Sequence, residues 1–176
     1  MNIRPSYAIW LGSKQVDKFT AVEIGVREGF NAREMLKASD ELDKLILVDN
    51  YIGTEEQYEK VMLENLKPHW DRCDYKHMTS LEASALIPDN SIDYCYIDGD
   101  HEYGSVLTDL QVWYPKVKKF GMLAGHDFWC KPLREAVIYF SRNKQIRTFG
   151  CVNMFEAEKI KSHEGIFMDW WGFKLE

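Results

Sequence analysis

Two apolar segments near the start of the chain constrain its fold more than any other feature. Ala21–Phe30 predicts a buried strand that turns sharply on glycines into a helix, and Leu45–Asn50 predicts a second buried strand that ends in an acid. Gly29 and Asp49 lie 20 positions apart (49 − 29). At this spacing, an acid after the second strand of a βαβ unit reaches the ribose of a nucleoside. The sequence therefore predicts a site for a nucleoside-containing cofactor.

The length and composition of the chain predict a single folded domain over residues 1–176, with residues 1–19 as an N-terminal extension. Hydrophobic residues make up 45% and charged residues 28%, so disorder is not expected. The formal net charge of −6 argues against nonspecific binding of nucleic acid, which normally needs a basic surface. There is no leader-like segment and no apolar run of membrane-spanning length, so no membrane partner is expected.

The cysteines favour a reducing compartment. Cys73, Cys95, Cys130 and Cys151 are widely spaced and form no C-x-x-C pair, and the sequence has no N-x-S/T glycosylation acceptor. We therefore expect a cytoplasmic protein.

Strand-like and helix-like segments alternate along most of the chain. The predicted strands are Thr20–Val26, Lys44–Asn50, Tyr75–Met78, Ile92–Ile97 and Gly121–Gly125. The predicted helices are Asn31–Ser39, Glu55–Leu66, Leu81–Leu86, Tyr103–Val117 and a segment around Leu133, Val137 and Phe140. This alternation is typical of a parallel sheet with helices on both faces.

The end of the chain departs from this alternation. Arg147–Glu156 and Ile166–Lys174 both have strand patterns, and only about ten residues join them, whereas a parallel crossover needs a dozen or more. The two strands should therefore form an antiparallel β-hairpin. The predicted fold class is α/β: a Rossmann-like, doubly wound, mostly parallel seven-stranded sheet that ends in this hairpin.

Polar or glycine residues follow five consecutive predicted strands. They are Gly25–Gly29, Asp49 with Asn50, Thr79 with Ser80, Asp98–His101 and His126–Phe128. In open α/β sheets, ligands bind at the carboxyl ends of the strands. A purely structural sheet does not require so many acids along one edge, so we expect the functional site there.

The first of these turns favours a cationic cofactor over a dinucleotide. Its spacing is Gly25-x-x-x-Gly29 rather than G-x-G-x-x-G, and Glu23 lies two residues before the first glycine. An acid at that place suits a ligand with an ammonium group better than one with a pyrophosphate. S-adenosylmethionine carries an ammonium and a sulfonium but no phosphate, so it is the predicted cofactor.

Several of these segments resemble motifs of a known family. Val22–Gly29 and Val48–Asp49 resemble the first two motifs of class I S-adenosylmethionine-dependent methyltransferases. Tyr96–Tyr103, Asp109–Leu110 and Gly125–Phe128 are similar to a small O-methyltransferase-like subgroup with Asp-Gly-Asp-His and Gly-His-Asp motifs. The resemblance extends over nearly the whole chain from about residue 19 onward.

The resemblance implies a place for each cofactor-binding residue. Glu23 and the backbone of Gly25, Val26, Arg27 and Gly29 would flank the methionine portion. Asp49 would bind the ribose hydroxyls, with Asn50 beside it. The turn at Thr79 and Ser80 would lie beside the adenine with Tyr51 near it, and Asp98 would lie close to the methyl group.

The resemblance also raises the question of a metal. Related metal-dependent O-methyltransferases hold a divalent cation between acids after strands four and five, and Asp98 and Asp127 match those places, with His126 or Asp100 as further ligands. Such a set would suit Mg²⁺ or Mn²⁺. The chain has His126-Asp127 where catechol-type enzymes have Asp-Asn, and His101 where they often have lysine, so the metal dependence stays open.

His101 and Asp98 are the predicted catalytic residues. Methyl transfer needs an in-line approach of the acceptor, so positioning supplies most of the catalysis. A histidine such as His101 can remove the proton of an acceptor hydroxyl, whereas a cation on Asp98 and Asp127 would stabilise the developing alkoxide. The structural alternatives are that His101 only caps the following helix and that His126 only packs behind a buried strand.

The predicted function is O-methylation of a small molecule or a sugar hydroxyl. Aromatic residues could line the acceptor pocket or pack in the core, namely Tyr103, Phe128, Trp129, Trp170 and Trp171. Trp170 and Trp171 are neighbours on a strand and should face opposite sides of the sheet. The short chain suits an exposed acceptor site, a glycan or other large acceptor, or a site completed by a homodimer.

Two other functions remain open from the sequence. One is a metal-dependent hydrolase that uses Asp98, Asp100, His101, His126 and Asp127, which would leave Glu23 and the glycine turn unexplained. The other is a non-catalytic module that binds S-adenosylmethionine.

Overall fold

A computed structural model gives the fold and describes residues 3–14, 16–52, 57–144, 148–149 and 169–175. Within these ranges the α-helices are α1 (Pro5–Ser13), α2 (Phe30–Ala38), α3 (Gln57–Leu66), α4 (Ser80–Leu86), α5 (Tyr103–Trp113) and α6 (Lys131–Asn143). The strands are β1 (Phe19–Ile24), β2 (Leu42–Asp49), β3 (Cys73–His77), β4 (Ile92–Ile97), β5 (Val117–Gly125), β6 (Thr148–Phe149) and β7 (Trp170–Phe173). None of the helices in these ranges is both long enough and apolar enough to cross a bilayer.

The strands form one sheet in the order β3-β2-β1-β4-β5-β7-β6. Strands β1 to β5 pair in parallel, and β7 pairs antiparallel with both β5 and β6. In the described part of the chain, six strands have four to nine residues, and β6 is a two-residue segment at the edge. The predicted Rossmann-like, mostly parallel sheet with an antiparallel end is confirmed, and its seventh strand is present as this short edge segment.

Helices cover both faces of the sheet. Apolar side chains of α1, α2 and α3 pack on one face around Ala21, Leu45 and Leu47. Those of α4, α5 and α6 pack on the other face around Val22 and Ile46. Alternate residues of the central strands thus face opposite helix layers, and β4 is buried along its whole length, as expected for a parallel strand.

Most predicted boundaries differ from the structure by one or two residues, and two differ by four. The predicted helix Tyr103–Val117 ends at Trp113 and continues as a 3₁₀ turn over Tyr114–Lys116, because a proline at position 115 disfavours a continued α-helix. Strand β5 then begins at Val117, four residues before the predicted start.

Part of the predicted hairpin lies outside the described residues. Of Arg147–Glu156 only residues 148–149 are described, and they pair with Trp171 and Gly172 in the antiparallel direction that the sequence predicted. Ile166–Lys174 is described from residue 169, and its strand is Trp170–Phe173.

The N-terminal extension contains a helix that packs on the sheet. The side chains of Tyr7 and Trp10 in α1 are buried. The Tyr7 ring lies 5.2 Å from the ring of Tyr94 in β4, in an edge-on arrangement. The residue that precedes this helix, Arg4, is thereby brought toward the carboxyl ends of β4 and β5.

Candidate active site

Two glycines in the left-handed backbone region shape the turn after β1. Gly25 has φ = +84° and Gly29 has φ = +73°, values that residues with side chains seldom adopt. A Cβ on Gly25 would collide with the backbone carbonyl of Asp98, and a Cβ on Gly29 would lie 3.0 Å from Met62 Cγ. Both glycines are therefore required by packing within the fold, and Gly25 lets the ends of β1 and β4 come into contact.

Asp49 joins the end of β2 to that turn. Its Oδ2 accepts hydrogen bonds from the backbone N–H groups of Val26 and Arg27, each at 2.9 Å. Its Oδ1 accepts from the backbone N–H of Tyr51 at 2.9 Å, and the Tyr51 hydroxyl donates to the Arg27 carbonyl at 2.7 Å. The Arg27 guanidinium donates to the Tyr58 hydroxyl at 3.2 Å on the surface. These hydrogen bonds hold the predicted residues of the first two strand ends together as one unit.

A cleft of ≈ 680 Å³ lies at the carboxyl ends of β1 to β4. Small-molecule sites typically have about 300–1,000 Å³. Five predicted cofactor residues line it: Gly25, Asp49, Asn50, Thr79 and Ser80. The other lining residues are Ile24, Val48, Met78, Leu81, Gly99, Asp100, Gly104, Ser105, Thr108 and Asp109. The predicted residues that do not line it are Glu23, Val26, Arg27, Gly29, Tyr51 and Asp98.

Asp109 is a cleft residue to which sequence reasoning assigned no role. Its side chain is mostly buried in α5, and burial raises its pKa to about 6, although a hydrogen bond from the Ser80 hydroxyl opposes that shift. The Ser80 Oγ in turn accepts from Trp113 Nε1 at 2.8 Å. The signal for Asp109 was available, because this acid interrupts the apolar stripe that Val106, Leu110 and Trp113 form along the helix.

Glu23 is buried in β1 with one carboxylate oxygen unpaired. Its side chain is 1% exposed, and Oε1 accepts a hydrogen bond from Asn31 Nδ2 at 3.0 Å. Oε2 is buried and has no hydrogen-bond partner among the described residues. Burial raises the pKa of Glu23 to about 8. A buried acceptor without a donor is costly, and a cationic ligand would satisfy it. This orphaned oxygen therefore fits the ammonium group of the predicted cofactor.

A second group of polar side chains lies at the carboxyl ends of β4 and β5. His101 Nε2 lies 2.9 Å from Asp127 Oδ2, and His126 Nδ1 lies 3.1 Å from Asp127 Oδ1. His126 Nδ1 is also 3.8 Å from Asp98 Oδ1. Trp129 Nε1 donates to Asp127 Oδ1 at 2.7 Å. The structure thus brings together the predicted catalytic and metal-binding residues, which we call the acid-histidine cluster (Asp98, His101, His126 and Asp127).

Burial and neighbouring charges set the ionisation of this cluster. Burial raises the pKa of Asp98 to about 6, against the opposing effects of His126 and Arg4. Burial alone would also raise the pKa of Asp127, but hydrogen bonds from His101 and His126 outweigh it and hold that pKa well below its usual range. The hydrogen bond to Asp127 raises the pKa of His101. Asp127 is therefore the fixed negative charge of the cluster.

Arg4 is a member of this site that the sequence did not indicate. Its Nη1 lies 2.8 Å from His126 Nε2, and its Nη2 lies 3.8 Å from Asp98 Oδ2. A guanidinium has only hydrogen-bond donors, so His126 Nε2 is the acceptor and Nδ1 carries the hydrogen that faces Asp127. Residues 4 and 126 are 122 positions apart, and no local motif marks Arg4.

The cluster fits a divalent cation only in part. Asp98, His101 and Asp127 each offer one ligand atom, and these atoms lie within 4.8 Å of one another. However, Asp127 Oδ2 accepts one hydrogen bond and keeps a lone pair, whereas Oδ1 accepts two, and both ring nitrogens of His126 are committed to other residues. A metal ligand needs a free lone pair, so a cation would have to displace these contacts. As arranged, His126 and Asp127 Oδ1 are not available to Mg²⁺ or Mn²⁺, so the predicted set of Asp98, Asp127 and His126 fits a cation poorly.

The predicted aromatic residues separate into core and surface positions. Phe128 and Trp170 are buried in the core on one face of the sheet, and Trp171 packs against the core on the other face. The prediction that Trp170 and Trp171 face opposite sides is confirmed. Trp129 and Tyr103 are partly exposed, at 42% and 37%, and remain available to an acceptor.

Comparisons with known proteins agree with this arrangement. A family model described as a methyltransferase domain matches residues 22–128, well over half of the chain. Uncharacterized protein R132 of Acanthamoeba polyphaga mimivirus is 32% identical over 118 residues, which cover 64% of this chain and 52% of that protein. The chain therefore spans about half the length of this relative.

Two solved structures share the fold. Cofactor-bound Rv0187 from MTB superimposes with a TM-score of 0.74 at 11% identity and covers 97% of this chain and 79% of its own. The O-methyltransferase from Bacillus cereus in complex with SAH superimposes with a TM-score of 0.69 at 12% identity, covering 98% and 83%. At such low identity these two structures support the fold alone.

The strand order, the glycine turn after β1 and the match over residues 22–128 agree with one another. The prediction of a class I methyltransferase is confirmed at this level, whereas its O-methyltransferase subgroup and the two subgroup motifs stay predictions. The chain belongs to the methyltransferase-domain family.

Proposed function

We propose that this chain is an S-adenosylmethionine-dependent methyltransferase that acts on a hydroxyl oxygen of a small molecule or a glycan. The observation that carries the proposal is the cleft at the ends of β1 to β4, with Asp49 on its wall and the unpaired Glu23 oxygen buried near its β1 end. A cleft of this size accommodates a nucleoside, and a buried carboxylate without a donor favours a cationic ligand.

In this proposal the cleft residues bind the adenosine part of the cofactor, and Glu23, next to the cleft residue Ile24, binds its ammonium group. Asp49 accepts from a ribose hydroxyl with the Oδ1 lone pair that its three backbone contacts leave free, and Asn50 lies beside it. Ser80 and Asp109 form the wall against which the adenine packs. Glu23 Oε2 accepts from the ammonium group. When bound, the cofactor supplies an electrophilic methyl group on a sulfonium.

In the proposal, the acid-histidine cluster accepts the proton that the acceptor hydroxyl loses. His101 Nε2 donates to Asp127 Oδ2, which leaves the Nδ1 lone pair available for the proton of an acceptor hydroxyl. Asp127 orients the ring and stabilises its protonated form, while Asp98 lies between this pair and the glycine turn. The bound cofactor would supply the methyl group to the acceptor oxygen, and His101 Nδ1 would take the proton that this oxygen loses.

Further parts of the proposal concern location and partners. The described cysteines, Cys73, Cys95 and Cys130, are free thiols, in keeping with a cytoplasmic protein. Partly exposed Trp129, which bonds to Asp127, and Tyr103 suit a sugar or a ring-shaped acceptor. Neither nucleic acid nor a membrane is proposed as a partner, and a homodimer would shield the acceptor site from water.

The alternatives explain less of the molecule. A metal-dependent hydrolase would use the acid-histidine cluster but leave the cleft and the contacts of Asp49 without a purpose. A non-catalytic binding module would use the cleft but leave the His101–Asp127 pair unexplained.

Two measurements test the proposed function. Calorimetry with S-adenosylhomocysteine should give saturable binding at one site per chain. Transfer of a labelled methyl group from S-adenosylmethionine to a panel of phenols, sugars and amines should then identify the acceptor class. Absence of cofactor binding would refute the whole proposal, and binding without transfer to any acceptor would favour the non-catalytic module.

A further inference from the structure

Arg4 supplies a permanent positive charge beside Asp98 and His126 of the acid-histidine cluster. Its Nη1 lies 2.8 Å from His126 Nε2 and its Nη2 lies 3.8 Å from Asp98 Oδ2. A guanidinium stays protonated at any physiological pH and binds through a planar set of N–H donors. The negative charge of Asp98 is therefore compensated by a guanidinium of the chain itself.

Arg4 is held in place by a buried hydrogen-bond network. The backbone N–H and the hydroxyl of Ser6 donate to Asp169 Oδ2, at 3.0 and 2.6 Å. The Tyr96 hydroxyl donates to Asp169 Oδ1 at 3.0 Å, and the hydroxyls of Ser6 and Tyr94 lie 2.9 Å apart. All four side chains are buried, so the start of α1 is fixed against β4 and β7. Because Arg4 lies two residues before Ser6, these hydrogen bonds also fix the backbone position of Arg4.

The contacts of Arg4 determine what the neighbouring histidine can do. Because Arg4 can only donate, the lone pair of His126 lies on Nε2 and its hydrogen lies on Nδ1. The Nδ1–H faces Asp127 Oδ1, at 3.1 Å, and Asp98 Oδ1, at 3.8 Å. An N–H group on that side repels a metal ion, so His126 serves as a bridge between Arg4 and the two acids rather than as a ligand.

We infer that Arg4 replaces the divalent cation at the acid-histidine cluster, so that methyl transfer by this chain is independent of metal. Arg4 is a positioning residue here, since it acts through Asp98 and His126. The inference rests on the proposed function only in taking this cluster as the reacting end of the site. Its test measures metal binding, which does not depend on methyl transfer.

The test is Mn²⁺ binding, followed by electron paramagnetic resonance, on the whole chain and three variants. Arg4→Met removes the charge at similar length, Arg4→Lys retains a charge, and Arg142→Met removes a charge from an exposed position on α6 as the matched control. Wild type, Arg4→Lys and Arg142→Met should show no saturable binding up to about 1 mM Mn²⁺. Arg4→Met should bind at least about tenfold more tightly than wild type, because a repelling charge close to the Asp98 carboxylate is gone.

Two results would overturn the inference. Saturable Mn²⁺ binding by wild type that is lost in Asp127→Asn would show that the cluster holds a cation beside Arg4. Equal, weak binding by wild type and Arg4→Met would show that Arg4 is not what excludes the metal. If Arg4→Met fails to bind S-adenosylhomocysteine or to fold by circular dichroism, the wild-type titration and its Asp127→Asn control decide alone. The proposed function fails separately, through loss of cofactor binding in wild type.

Discussion

The hydroxyl of Ser80, at the start of α4, donates a hydrogen bond to the carboxylate of Asp109, 29 residues later in α5, and so joins two walls of the cleft. The same Ser80 oxygen accepts from Trp113 Nε1 at 2.8 Å. A chain of hydrogen bonds therefore runs from a buried indole to an acid that borders the cavity.

Replacement of Asp109 should weaken cofactor binding. In Asp109→Ala the half-buried Ser80 hydroxyl loses its acceptor, and a hydrogen bond to a charged group contributes about 1.5–3 kcal/mol. We expect the affinity for S-adenosylhomocysteine, measured by calorimetry, to fall about tenfold. Gln111→Ala, at an exposed position of the same helix, is the control and should bind normally. Unchanged affinity in Asp109→Ala would remove this residue from the cofactor site.

Asp49 should matter more, because it holds the glycine turn and borders the proposed ribose position. Asp49→Ala leaves the backbone N–H groups of Val26 and Arg27 without their acceptor. The affinity for S-adenosylhomocysteine should therefore fall by more than about tenfold. Asp43→Ala removes an exposed acid of the same strand, where Asp43 pairs with Lys18, and it provides the matched control. If both variants bind alike, the ribose assignment is wrong.

Ionisation of Glu23 should lower the free energy of unfolding of the ligand-free protein at high pH. Its pKa is raised by burial from 4.5 to about 8, so the folded state holds a proton that the unfolded state has released between these values. Stability therefore decreases as the pH rises through that window, by up to roughly 5 kcal/mol. Glu23→Gln mimics the protonated form.

The Glu23→Gln variant should thus melt close to wild type near pH 5 and at a higher temperature than wild type near pH 8.5, as measured by thermal unfolding without ligand. The same variant should bind S-adenosylmethionine more weakly, since the acceptor for the ammonium is neutral. A melting difference that does not change with pH would contradict the raised pKa.

The negative charge of Asp127 should control the titration of His101. Because the hydrogen bond to Asp127 raises the pKa of His101, Asp127→Asn should lower it. Two-dimensional NMR of the imidazole nitrogens across a pH series measures this directly. Asp89→Asn, which removes an exposed acid that pairs with Lys116, should leave the His101 curve in place. An unchanged His101 pKa in Asp127→Asn would show that the hydrogen bond to Asp127 does not set the titration of His101.

Local sequence patterns were sufficient for the sheet and for half of the site. The strands around Ala21 and Leu45 are continuous apolar runs, and the residues after each strand share one edge by topology alone. Glu23 also followed from its place before Gly25, although its burial and unpaired oxygen did not.

The missed features depend on contacts between distant parts of the chain. Strand β5 begins at Val117, but two lysines follow this residue and hide the apolar pattern of a strand. Arg4 carries no local signal, since its role comes from α1 packing against Tyr94 and from Asp169 near the other end. Such long-range juxtaposition is set by tertiary packing, which no sequence window contains.

The buried carboxylate of Asp169 affects the order in which contacts can form while the chain is synthesised. Ser6 leaves the ribosome 163 residues before its acceptor does. The cleft is built from residues up to Asp109, so its polypeptide exists well before Arg4 can be fixed beside His126. During synthesis, all residues that line the cleft are therefore made before Asp169 can bind Ser6 and fix the start of α1.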